Sequence, residues 1–261
     1  MKIEAKIPVV DLEKLEEEEE RNKLKEACVV PDSGYRSSTV TSPLYEGLGI
    51  YDMYSSPQAL EDFCSDLNVP PNHREIIEAY GQAIHNLASR ISQKMAESVG
   101  VAGADFKDWP FIFRIIKYNF TQETIGKLGV QPHSDTGFIT LLQDDDTVSG
   151  IELIDDSGSF MEVPPKSGSL ICIIGDVGHV WSNGRFQNAK HRVICKEIAT
   201  RYSFGAFMLA SRDGNVEAPL ELVNSDHPRL YHPFKYEDLR DFRITTDKRT
   251  GEVLNQFRMA I

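Results

Sequence analysis

Five side chains stand out for the chemistry they could share: His133 and Asp135 in QPHSDTGFITLLQ, His191 at the head of HRVICKE, and Arg201 and Ser203 in RYSFGAFMLA. On an extended backbone residues i and i+2 point to the same side, so the imidazole of His133 and the carboxylate of Asp135 can face one interior. Such a pair is common by chance, and a loop histidine beside a capping aspartate is its ordinary explanation. A second imidazole at His191 changes its meaning. Two histidines and one carboxylate on one face of an octahedron are the set that oxygen-activating iron(II) favours, with three positions left open. A 2-oxo acid fills two of them through its keto oxygen and adjacent carboxylate, and dioxygen takes the third. The far carboxylate then needs a cation that keeps its proton inside a protein wall. The guanidinium fork of Arg201 suits that task, with the Ser203 hydroxyl on the same face of the strand.

Elements able to position these groups are legible around them. FIFRIIKYNF, FITLLQ, SLICIIGD, HRVICKE and RYSFGAFMLA are short runs rich in Ile, Phe, Val and Leu, separated by turn residues. Successive short strands with little helix between them argue for a mainly β protein with flanking helices, its core a sandwich or jelly-roll barrel. Residues 3–11 read as a short strand and 12–28 as a helix whose acidic block, Glu16 to Glu20, is a solvated face. From Val29 to Ser56 the chain reads as a long irregular stretch. From Pro70 a helix is expected, capped by Asn72, with Ile76, Ile77, Tyr80, Ile84, Leu87, Ile91 and Met95 as its packing stripe and an end at Gly100. His73 and His85 on it read as solvent-facing or satisfied. The division expected is a helical region at 1–108, shortened after residue 30, the jelly-roll core at 109–212 and a C-terminal extension at 213–261.

The order H-x-D, His, R-x-S in HSD, HRV and RYS resembles the plant soluble 2-oxoglutarate and iron(II)-dependent dioxygenases. WSNGRFQNAKHRV looks like that family's strand-turn-strand before the distal histidine, with Asn183-Gly184 as the hairpin turn. The resemblance implies a double-stranded β-helix, iron(II) held by His133, Asp135 and His191, and 2-oxoglutarate held by Arg201 and Ser203. It also implies dioxygen as reactant and ascorbate in support. Family members often carry Asn-x-Tyr on the strand that here reads Lys117-Tyr118-Asn119, so Tyr118 or Asn119 would reach the co-substrate, and Tyr118 is equally a packing residue. SPLYEGLGIYDM, GKLGVQPHSDTGFITLLQ and DHPRLYHP resemble the auxin-oxidising branch, which implies conversion of indole-3-acetic acid to 2-oxoindole-3-acetic acid. The family's Gly-aromatic-Phe strand, Asn-His-Gly and long helix have no counterpart between KEACVV and PDSGYRSS. That departure implies a lost edge strand and covering helix, and a less stable scaffold.

Other readings stay open. The same oxygenase class could act on another small plant acid, such as a gibberellin or a specialised metabolite, or the shortened form could be inactive. A non-catalytic jelly-roll binding protein and a zinc hydrolase are rivals, although zinc needs neither Arg-x-Ser nor a 2-oxo acid. His179, in what reads as the strand DVGHVW, is a structural histidine rather than a ligand. Phe138, Phe207 and Leu209 are either core or the lining of an aromatic-substrate pocket, and Cys172 and Cys195 read as buried small hydrophobes.

Composition narrows the partners. With 28 Lys+Arg against 40 Asp+Glu, the formal charge of -12 repels polynucleotides and anionic lipid. An anionic small molecule must therefore be met by locally placed cations. The four cysteines form no CxxC pair, the opening MKIEAKIPVVDL lacks a signal pattern, and no apolar run nears the roughly 20 residues of a membrane span. A cytoplasmic protein without nucleic-acid or membrane partners is the expectation.

Overall fold

A computed structural model of the protein describes residues 44–54, 56–155 and 157–260, together with the backbone of the strand Gly34–Arg36. The strand and helix expected over residues 3–28 lie outside the described residues. Two antiparallel sheets form the centre. The larger runs β1 (Gly34–Arg36), β2 (Tyr45–Tyr51), β3 (Phe111–Phe120), β10 (Ala199–Met208), β5 (Ile139–Gln143) and β8 (Ile171–Ile174) in spatial order. The smaller runs β4 (Leu128–His133), β9 (His191–Ile194), β6 (Ile151–Ile154) and β7 (Phe160–Glu162). A two-stranded ribbon, β11 (Asn215–Val216) with β12 (Phe234–Lys235), lies in the C-terminal part.

Strand alternation decides which side chains reach the space between the sheets. β3 and β10 pair without a register break from Phe111↔Met208 to Phe120↔Ala199, at the middle of the larger sheet. Ile116, Tyr118, Leu142 and Ile173 from that sheet meet Ile151 and Val193 from the smaller one in a shared cluster. The opposite face carries the helices: α1 (Pro57–Asp66) and α2 (Pro71–Ser98) cover it, and Tyr80 packs against Phe113 and Phe204. On β10 this sends Arg201 and Ser203 inward and Phe204 toward α2.

Several expectations need correcting. The stretch 29–56 is not wholly irregular, since β2 pairs with β3 over seven positions and β1 pairs with β2; its glycines hide a strand whose inward face needs little side chain. Asn72 does not cap α2: Pro70 does so without a side-chain bond, because Pro71 already has the φ of a first helical turn. Gly100, with φ +91°, ends the helix as expected, and its N–H and that of Val101 return to Glu97 and Ala96. Of the expected stripe only Ile76 is half exposed; Ile84 is in the core, Ile77, Tyr80, Leu87, Ile91 and Met95 pack against it, and Ala88, Ser92 and Ala96 are its fully buried small residues. DVGHVW is a helix, α3 (Asp176–Trp181), and Asn183 and Gly184 take positive φ to end it rather than to join two strands. α4 (Tyr236–Thr246) follows the ribbon. Among the described residues no helix is long and apolar enough to cross a membrane.

Candidate functional site

Across the β4–β9 pair His133 stands directly opposite His191, which brings the ring centroids to 4.2 Å. Asp135 lies two residues past the end of β4, and its Oδ1 is 3.6 Å from His133 Nε2 and 3.9 Å from His191 Nε2. One ligand atom from each residue lies within 4.8 Å of the other two. Separations of this size can be spanned by a single ion with bonds of about 2 Å. Backbone carbonyls fix the ring tautomers: Nδ1 of His133 faces Gln131 O at 2.9 Å and Nδ1 of His191 faces Ala189 O at 3.1 Å. Each Nδ1 therefore carries the proton, and each Nε2 turns a lone pair toward Asp135. Burial and the neighbouring His191 drive the His133 pKa down to about 3, so its imidazole is neutral. Burial raises the Asp135 pKa, yet the two imidazoles and the Thr140 hydroxyl outweigh it and hold the carboxyl below its usual range. Neutral imidazoles and an ionised carboxylate are the states a metal requires.

One near neighbour and several residues remote in sequence hold the loop 134–137. Thr140 Oγ1 donates to Asp135 Oδ2 at 2.6 Å, which leaves Oδ1 for the histidines. The Ser134 N–H donates to Arg249 O at 2.7 Å, and Arg243 Nη1 donates to Ser134 O at 2.7 Å. The Thr136 hydroxyl meets the Tyr236 hydroxyl at 3.0 Å, and the Asp176 N–H reaches Asp135 O at 2.8 Å. A Cβ on Gly137 would strike the Met208 carbonyl, so only glycine allows the loop to lie this close to β10.

The opposite wall is built by register. Arg201 pairs with Tyr118 across β10 and β3, and its guanidinium carbon lies 5.1 Å from the Tyr118 ring centroid. Arg201 is 1% exposed, Ser203 2% and Tyr118 3%. Nη2 of Arg201 ion-pairs with Asp144, whereas Nε and Nη1 are buried without a hydrogen-bond partner. Buried donors left unpaired cost about 1–3 kcal/mol each, so a carboxylate at this point would relieve a standing penalty. Burial raises the Tyr118 pKa, with Arg201 opposing, and keeps the phenol protonated as a donor. Asn119 is exposed on the far side of the strand.

His133, Asp135, His191, Arg201, Ser203 and Tyr118 all line one cavity of about 470 Å³. Phe207 and Leu209 are on its wall, but Phe138 is not; it is fully buried among Phe106, Trp109 and Trp181. His179 stays outside, bonded through its two nitrogens to Phe186 O and the Tyr231 hydroxyl. Cys195 is buried as expected, but Cys172 is exposed on the edge strand β8, where alternate residues face out. Sequence reasoning missed Asp144, Thr140, Tyr236 and Arg243. The acidic run QDDD directly after a strand was the one signal for the first; nothing local marked the others.

Residues 110–210 match the model of the 2OG-Fe(II) oxygenase superfamily. The chain is 45% identical over 233 residues to the 2-oxoglutarate-dependent dioxygenase DAO of Oryza sativa, a match that covers 89% of this chain and 77% of that protein. The crystal structure of the rice dioxygenase for auxin oxidation superposes with a TM-score of 0.84 at 42% identity, over 92% of this chain and 80% of that one. The 2-oxoglutarate complex of dioxygenase for auxin oxidation 1 from Arabidopsis thaliana gives 0.72 at 43% identity, over 84% and 87%. With a double-stranded β-helix at its centre and relatives this similar along most of its length, the chain belongs to the 2OG-Fe(II) oxygenase superfamily and is a 2-oxoglutarate-dependent dioxygenase that works with iron(II).

Proposed function

We propose that the protein oxidises indole-3-acetic acid to 2-oxoindole-3-acetic acid, and so removes auxin. The likeness to the auxin-oxidising dioxygenases along most of the chain carries this reading. The cavity agrees with it: Ile112, Phe207 and Leu209 offer an apolar wall for a flat ring, while Arg240, Arg243 and Arg249 line the side toward α4. In a chain of net charge -12, these are the local cations an organic acid needs.

In this reading His133, Asp135 and His191 hold iron(II), and Arg201, Ser203 and Tyr118 hold 2-oxoglutarate. Iron(II) supplies oxygen activation coupled to decarboxylation of the co-substrate to succinate. The protein's own part is geometric and electrostatic. The Nδ1 bonds leave Nε2 of each imidazole as the nitrogen aimed at the site, and Thr140 orients Asp135. Arg201 anchors the far carboxylate, and the apolar wall excludes water from the ring. Ascorbate would support turnover as a reductant. A cytoplasmic setting without nucleic-acid or membrane partners fits the acidic surface and the free Cys64, Cys172 and Cys195.

The test is mass-resolved product analysis with indole-3-acetic acid, iron(II), ascorbate and 2-oxoglutarate. A product heavier by one oxygen, formed together with succinate, is expected. Succinate coupled to a gibberellin or another plant acid, with indole-3-acetic acid untouched, would move the protein to a different substrate within the same class.

A further inference from the structure

The Asp144–Arg201 pair is the second titratable cluster beside the cavity, and it differs in kind from the first. Asp144 does not line the cavity, although Arg201 does. The carboxylate therefore grips the guanidinium from behind the wall and does not compete for the space in front of it. A turn fixes Asp144 itself. Its Oδ1 accepts the Asp145 N–H at 2.9 Å, while Asp145 accepts the N–H groups of Thr147 and Val148 at 3.0 and 2.9 Å. Asp145 also accepts the N–H of Tyr202 at 3.1 Å, which ties the turn to the residue after Arg201. Two more contacts limit the guanidinium. The Tyr118 ring lies beside it, and Gly150 lies so close that a Cβ there would be 3.3 Å from Nε and 3.4 Å from Cδ.

We infer that Asp144 is a positioning residue for the co-substrate: it and Gly150 hold the Arg201 guanidinium in one orientation, so that donors not used by Asp144 are kept in place for the far carboxylate of a five-carbon 2-oxo diacid. This rests on the role proposed for Arg201. Arginine loses considerable rotamer freedom when ordered, and a holder that has already removed that freedom lowers the cost of binding. The holder also fixes the depth at which the carboxylate is met, and hence the chain length of acid that reaches the metal with its keto group.

Asp144→Asn keeps the shape and the acceptor for Asp145 but removes the charge that grips Nη2. Its effect is read by titrating the iron(II)-loaded protein with 2-oxoglutarate without oxygen, following the visible absorption of the complex, and by steady-state kinetics. The Kd and KM for 2-oxoglutarate are expected to rise about tenfold, the size of one lost charge-assisted contact. kcat and the KM for the organic acid should stay within about twofold, since the lost contact acts on co-substrate binding alone. Preference for 2-oxoglutarate over the one-carbon-longer 2-oxoadipate should shrink. Gly150→Ala, whose Cβ would lie 3.3 Å from Nε and 3.2 Å from the Ile194 carbonyl, should act in the same direction with iron affinity unchanged, and it decides the matter if Asp144→Asn does not fold. An unchanged or lowered KM for 2-oxoglutarate in the folded variants would overturn the inference, as would a parallel fall of kcat and of organic-acid binding. Arg201→Gln separates the two levels: wild-type 2-oxoglutarate affinity in that variant would remove the anchor role itself, whereas weakened affinity there with normal affinity in Asp144→Asn would remove only the positioning role.

Discussion

The loop 133–137 and the Arg201 wall face the same cavity but are built by opposite means. Arg201, Ser203 and Tyr118 owe their places to register: two central strands, paired without a break over ten positions, leave alternate residues pointing inward. The loop has no such ladder. It leaves the edge strand β4, whose pairing with β9 shifts register twice before His133, and is then held by Thr140, Asp176, Tyr236, Arg243 and Arg249. A wall made by register tolerates the loss of a single side chain beyond the loss of that chain's own contacts. A loop held by tethers transmits each loss to the atoms it positions.

The sharpest test of the contrast is Asp135→Ala. It removes one of three ligand groups and should lower turnover by more than about a thousandfold while iron, measured after anaerobic purification, is lost. Retained iron and activity would show that the metal sits elsewhere. Next in size, Arg201→Gln should raise the KM for 2-oxoglutarate by roughly 10- to 100-fold, the worth of a charged hydrogen bond in a buried site, and leave iron content unchanged. Arg243→Met touches neither ion nor co-substrate wall. It should nevertheless weaken iron binding by about tenfold, because it frees the carbonyl between two ligand residues; an iron titration matching the wild type would show that the loop is rigid without its tether. The smallest effect belongs to Tyr118→Phe, which keeps the ring beside Arg201 and should raise the KM for 2-oxoglutarate only about fivefold. If Tyr118→Phe exceeded Arg201→Gln in its effect, the order of importance along the register-built wall would be reversed.

How far the sequence could be read follows the same division. The alternation in RYSFGAFMLA and FIFRIIKYNF is a period-2 pattern on well-paired strands, so the facing of Arg201 and Ser203 was visible in one dimension. HSD was legible as a ligand pair by its spacing, but not the strand before it. LGVQPH contains glycine and proline and no apolar alternation, which suits an edge strand where Pro132 needs no ladder partner. DVGHVW was misread as a strand because six residues with apolar side chains only at Val177, Val180 and Trp181 are too few to separate the two periods. The tethers were beyond reach for a different reason. Arg243 and Tyr236 act on Ser134 and Thr136 across a hundred intervening residues, and no local pattern encodes that pairing. Asp144 was hidden in an acidic run that looks like any solvated turn.

The bonds from Arg243 and Arg249 to Ser134 carry a consequence for biosynthesis. A growing chain delivers residues 133–135 to the solvent long before residues 236–249 leave the ribosome, and β9 with His191 also arrives late. The loop that carries Asp135 therefore gains its full set of tethers only once residues 236–249 have been made and have docked, so its final geometry is set late in folding.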